Sequence, residues 1–178
     1  MAAESGAQEK AEIEKRTQAD EVPVTAVEWL DDAYEKARRI RWYYEETSGI
    51  QSYEAKLKWK GQMHSVEFDT SGMIQDIEIL VEWEELPENV QKNIAAFIDS
   101  AFHKHRIEKI QKQWTGAPSD LEDLIDEEEQ EALNTSYEIE FYGKNDIHDE
   151  LWEGLFDAEG RLLKKRIVKL IPNDNLNF

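Results

Sequence analysis

Two hydrophobic periods alternate along this chain, and each predicts a different element. Ala26, Val27, Leu30, Ala33, Tyr34 and Ala37 recur at helical spacing, as do Val90, Ile94, Phe97, Ile98, Ala101 and Phe102. One apolar stripe per segment predicts helices over 24–37 and 88–104, each with a single buried face. Both stripes follow a proline pair, Val22-Pro23 and Leu86-Pro87. Proline suits the first helical turn and is excluded from a strand interior. Elsewhere the period is two. Tyr53, Ala55, Leu57 and Trp59 alternate with Glu54, Lys56, Lys58 and Lys60, and the same alternation continues through His64, Val66 and Phe68 and through Ile77, Ile79, Val81 and Trp83. These read as strands with one buried face, and further strands are expected over 39–46, 106–114, 136–143, 149–157 and 161–171. Asp69-Thr-Ser-Gly72 reads as a hairpin turn with glycine at the position that needs positive φ.

The elements recur in order. Glu21-Val22-Pro23 matches Glu85-Leu86-Pro87, Tyr53-Glu54-Ala55-Lys56-Leu57 matches Tyr137-Glu138-Ile139-Glu140-Phe141, and Phe68-Asp69-Thr-Ser-Gly72 matches Phe156-Asp157-Ala-Glu-Gly160. The offset grows along the chain, so the second copy carries insertions, most of their length between Trp114 and Tyr137. The expected fold is α+β, two tandem helix-plus-four-strand antiparallel repeats with the helices packed on one face of the sheet. The expected organisation is an N-terminal tail or extra edge strand (1–20), repeat 1 (21–84), repeat 2 (85–171) with an acidic insertion (117–134), and a C-terminal tail (172–178).

Leu86-Pro87-x-x-Val90, Tyr137-Glu138-Ile139-Glu140 and the Leu155–Leu163 hairpin carry a resemblance to the PepSY-like, or β-lactamase-inhibitor-like, domain family. It covers about 22–171 and is closer in the second copy; the first departs at Ala55-Lys56-Leu57 and Met73-Ile74. The resemblance implies a small bacterial protein of the periplasm or cell envelope, acting as a non-catalytic binding or inhibitory module. It supplies no residue that contacts a β-lactamase.

Composition narrows the function classes. The 178 residues carry 40 Asp and Glu against 21 Lys and Arg, a formal charge of −19. Such acidity argues against a nucleic-acid binder, which needs basic patches for phosphate, and against attachment to an anionic membrane. No apolar run is long enough for a membrane-spanning helix, so no membrane insertion is expected. Cysteine is absent, which excludes disulfides and thiolate metal sites. The segment Met1–Gly6 lacks the basic and apolar regions of a signal peptide. Either the chain is cytoplasmic or it is a mature form of an exported protein.

Three groups of residues invite a chemical reading. The first is the insertion, with eight carboxylates over 117–134 and no base. Asp120, Asp123, Asp126 and Glu127 are its candidate Ca²⁺ ligands, but the glycine of a calcium-binding loop is missing, and a solvated loop with one helical turn through Leu121, Leu124 and Ile125 is the plainer reading. The second group is His103 and His105, read as a basic helix end rather than a metal site. The third is aromatic. Tyr43, Trp59, Tyr142 and Trp152 are the candidate anchors of a protein or peptide partner on the sheet face left open by the helices. No catalytic motif or cofactor-binding loop is present, so the chain is expected to have no enzyme activity and no cofactor. Its partner and oligomeric state stay open.

Overall fold

The computed structural model describes residues 8–170, with side chains over 13–169. Its elements run β1 (Gln8–Thr17), α1 (Val24–Ala33), β2 (Arg41–Thr47), β3 (Ile50–Trp59), β4 (Gln62–Asp69), β5 (Ile74–Leu80), α2 (Glu88–Ala101), β6 (Lys104–Thr115), α3 (Pro118–Asp126), β7 (Asn134–Lys144), β8 (Asp149–Asp157) and β9 (Leu162–Leu170). A 3₁₀ turn precedes each proline pair, at Ala19–Glu21 and Trp83–Glu85. In each turn the last glutamate reaches back to a backbone N–H: Glu21 accepts from Gln18, and Glu85 from Glu82 at 2.7 Å.

The strands follow one another in chain order, every neighbour antiparallel, and β1 then pairs parallel with β9 to close the sheet into a barrel. This overturns the expectation of two tandem helix-plus-four-strand repeats. β5 pairs directly with β6, Ile77 opposite Trp114, so hydrogen bonding runs unbroken across the proposed boundary. β1 is not an extra edge either, because it pairs with β2 on one side and β9 on the other. The fold remains α+β, but the unit is one nine-stranded sheet with three helices. The tail expected over 172–178 lies outside the described residues.

Alternation divides each strand between two faces. Outward residues form two apolar clusters. One gathers Ala26 and Leu30 of α1, and Tyr34 just past its end, with Trp42, Leu57, Val66, Phe68 and Ile77. The other gathers Val90, Ile94 and Ile98 of α2 with Ile110, Ile139, Phe141, Trp152 and Phe156. The acidic insertion contributes to the first. α3 buries Leu121, Leu124 and Ile125, while its acids point away from that core. A segment read as a solvated loop is thus a third helix, because three apolar residues at helical spacing outweigh the repulsion of their neighbours.

Two hairpin glycines fix the fit between helix and sheet. Gly72 (φ 85°) lies under the start of α1 and Gly160 (φ 79°) under α2; a Cβ on them would stand 2.9 Å from the Ala26 nitrogen and 2.7 Å from the Val90 oxygen. Each turn is organised by its aspartate. Asp69 accepts from the Ser71 and Met73 N–H groups, and Asp157 from those of Glu159 and Arg161.

Candidate functional site

The inward face of the barrel is charged. All nine strands contribute to a cavity of about 830 Å³ lined by nine carboxylates against two types of cation, Lys56, Lys109 and Lys164 with Arg166. The helices cover the outer face, so alternation sends every second polar residue into this lumen rather than to bulk water. Lys56 and Lys109 keep 34% and 39% of their side-chain surface exposed, so solvent reaches the interior.

The charges are organised as pairs and short networks. Lys56 Nζ lies 2.7 Å from Glu14 and 2.8 Å from Glu54. Lys109 donates to Glu140 at 3.0 Å and Arg166 Nε to Glu153 at 2.6 Å. Gln113 bridges Asp76 (3.1 Å) and Glu78 (3.0 Å) while its amide oxygen accepts from the Ser136 hydroxyl. Gln111 donates to the other Glu78 oxygen at 2.5 Å.

The titration of these groups follows their surroundings. Asp76 is pushed well above the usual carboxylate range by burial, reinforced by the charges of Glu78, Glu67, Glu138 and Glu54. Burial also opposes the charge on Glu54, but hydrogen bonds with Glu45, Lys56 and Ser65 and the nearby Lys56 charge outweigh it and hold Glu54 below its usual value. Lys56 is held above the ordinary ammonium range, because Glu54 and Glu14 outweigh the cost of its burial.

One carboxylate group has the geometry of a cation site: Glu14, Glu45 and Glu54 bring ligand oxygens within 4.8 Å of one another. The Lys56 ammonium already pairs with two of the three, so a metal ion would have to displace it. The candidate ligands read from the insertion are not brought together. Asp123 and Asp126 are exposed on α3, with Glu127 just past its end, and the Glu14 group is the one possible metal cluster among the described residues. The histidines separate too, His103 to Asp146 at 2.8 Å and His105 toward Asp99 at 3.6 Å.

The four aromatic residues do not form one platform. Trp152 is 1% exposed, packed on Phe102 with its indole N–H on the Gly143 carbonyl, which makes it a core residue and not a surface anchor. Its place is legible in the alternation, since it shares a face with Phe156. Trp59 is on the outer face as well, half-buried against Tyr34. Tyr43 and Tyr142 are inward, Tyr43 opposite Glu54 and Tyr142 two residues beyond Glu140. A cation lies over each ring, Lys56 at 4.6 Å and Arg106 at 5.3 Å. The residues missed by sequence reasoning are the lumen acids. Their signal was present in the alternation, but nothing local distinguishes a polar face turned to solvent from one turned to a lumen.

Among the described residues no helix is long and apolar enough to cross a membrane. No family model and no curated protein matches the chain. It is similar to three solved structures: a DUF2874 family protein of Bacteroides uniformis (TM-score 0.56, 15% identity, 82% of this chain and 89% of that one), a Bacteroides eggerthii protein provisionally described as periplasmic (0.53, 18%, 82% and 88%), and a BLIP-like protein of Bacteroides fragilis (0.51, 16%, 85% and 90%). At these identities the likeness is one of fold, and the fold is BLIP-like.

Proposed function

We propose that this protein is a non-catalytic binding module of the bacterial cell envelope, which engages a protein or peptide partner through the inward face of its sheet. The observation that supports this reading is the lumen, with nine carboxylates against four cations in a space of about 830 Å³. That volume admits side chains rather than a folded domain, and its excess of negative charge selects Lys and Arg side chains. Met63 and Leu80, 43% and 45% exposed, line the same cavity and give apolar contact beside the acids. Tyr43 and Tyr142 share the inward face without lining the cavity itself; Trp59 and Trp152 are on the outer face. The envelope assignment rests on the Bacteroides eggerthii protein of the same fold. Placement with the PepSY-like proteins rests on the Leu86-Pro87 and Leu155–Leu163 motifs.

Fluorescence anisotropy with a labelled Lys/Arg-rich dodecapeptide and its Asp/Glu counterpart tests the reading. The basic peptide should bind, lose affinity as salt rises, and lose about ten-fold in a Glu78→Gln/Glu138→Gln variant. Equal binding of the acidic peptide, or no change in the variant, overturns it.

A further inference from the structure

A second cavity, of about 280 Å³, lies on the opposite face, between α3 and the ends of β3–β6. We propose that it is a binding site for a small organic anion, a carboxylate carried on a flat apolar body. Of the residues lining it, only His64 also lines the lumen.

The walls supply the apolar body's contacts. Trp59 and Trp114 form one side, Ile79 of β5 stands beside them, and Leu124 and Ile125 of α3 close the other. The space is smaller than most drug-binding pockets, which suits a compact ligand with one or two rings.

The polar groups select the charge. Lys112 is half-buried, and its contacts are the Trp114 ring at 4.6 Å and the Gln130 amide oxygen at 3.3 Å. No carboxylate pairs with it among the described residues. In a chain of charge −19, with Lys56 and Lys109 each held by a glutamate, that is a conspicuous omission. A half-buried cation without a counter-ion carries an uncompensated desolvation cost that an anionic ligand would offset. Burial correspondingly lowers the Lys112 pKa. The single carboxylate at this cavity, Glu128, is already committed to Lys60 at 3.1 Å, an ion pair that fastens the segment after α3 to the β3–β4 turn.

Hydrogen-bonding capacity points the same way. Three buried indole N–H groups lack an acceptor among the described residues, and two of them, Trp59 and Trp114, belong to this cavity; the third is Trp29 of α1. His64 also lines the cavity, its Nδ1 already bonded to the Tyr34 hydroxyl at 3.0 Å. Donors therefore outnumber free acceptors, and an oxyanion provides what the site lacks. A cationic ligand would face Lys112 and Lys60 with no free carboxylate to meet it.

Isothermal titration calorimetry with 2-naphthoate, 2-naphthamide and 2-naphthylmethylammonium tests the charge preference on the unaltered protein. The naphthoate should bind one to one, at least ten-fold more tightly than the amide, with no binding of the ammonium compound. In ¹⁵N spectra the indole N–H signals of Trp59 and Trp114 should move on titration and that of Trp152 should not. Lys112→Met should retain the fold, with unchanged or raised melting temperature, and lose at least ten-fold in naphthoate affinity. Equal affinity for the amide, stationary Trp59 and Trp114 signals, undiminished binding in Lys112→Met, or no naphthoate binding at 5 mM would each overturn the proposal.

Discussion

The two faces of this barrel are built by the same strands and obey opposite rules. On the outer face Phe68, Ile77, Ile139, Phe141 and Phe156 are completely buried, and helices exclude water from them. On the inner face Glu, Lys, Gln and Ser side chains meet across a solvated lumen and are held by ion pairs and amide bridges. The outer face is held mainly by area removed from water. The inner face exchanges water contacts for protein contacts and gains little net stability. The difference teaches that this sheet draws its stability from its outer face, while the inner face contributes charge rather than packing.

The sharpest way to break the comparison is to damage the outer face. Phe141 is fully buried, its ring 5.2 Å from that of Phe102. Phe141→Ala should cost about 3–5 kcal/mol in urea denaturation.

His64 is the outer face's polar exception, and acid should expose it. Burial, with Lys60 adding to it, pulls its pKa down to about 4 from 6.5. The unfolded chain therefore takes up a proton near pH 6.5 that the folded chain refuses until about pH 4. This contribution is absent above pH 6.5 and destabilises progressively as pH falls through that window, at up to about 1.4 kcal/mol per pH unit. Melting temperature measured against pH should show the decline, and His64→Gln should flatten it.

A smaller loss is expected where helix and hairpin meet. Gly160→Ala adds a Cβ at positive φ against the Val90 carbonyl and should cost roughly 1–3 kcal/mol.

The smallest effect has the opposite sign and belongs to the lumen. Asp76 has a raised folded pKa, so it resists ionisation that the unfolded chain allows, and stability falls as pH rises from the ordinary aspartate range toward that raised value. Asp76→Asn should gain about 1 kcal/mol at neutral pH and remove this slope. A loss on Asp76→Asn comparable to that of Phe141→Ala would dissolve the distinction between the faces.

Much of this was readable in the residues. The Val22-Pro23 and Leu86-Pro87 pairs marked both long helices, and strict alternation through Tyr53–Trp59 and Tyr137–Phe141 marked strands and assigned their buried sides. Closure was not readable. The β5–β6 and β1–β9 pairings are non-local choices that no window of sequence encodes, and the recurring motifs suggested two units where hydrogen bonding makes one. The site was half visible. Glu54, Glu67, Asp76 and Glu138 showed as the polar phase of strands, yet that phase looks the same facing solvent or facing other strands. Conversely, Leu121, Leu124 and Ile125 were legible as one helical turn, but the eight carboxylates around them made the segment read as a solvated loop and not as a core helix.

The parallel seam between β1 and β9 carries a consequence for folding kinetics. Gln8 meets Arg166 across almost the whole described chain, whereas every other strand pairs with its immediate successor. The eight pairings of successive strands can proceed locally, but this one pays the loop-closure entropy of the entire sheet and comes last. Amides of Gln8–Glu12 should accordingly exchange fastest among the strand amides. The barrel then has a zip, and opening it would be the route by which the side chains of the proposed partner enter the lumen.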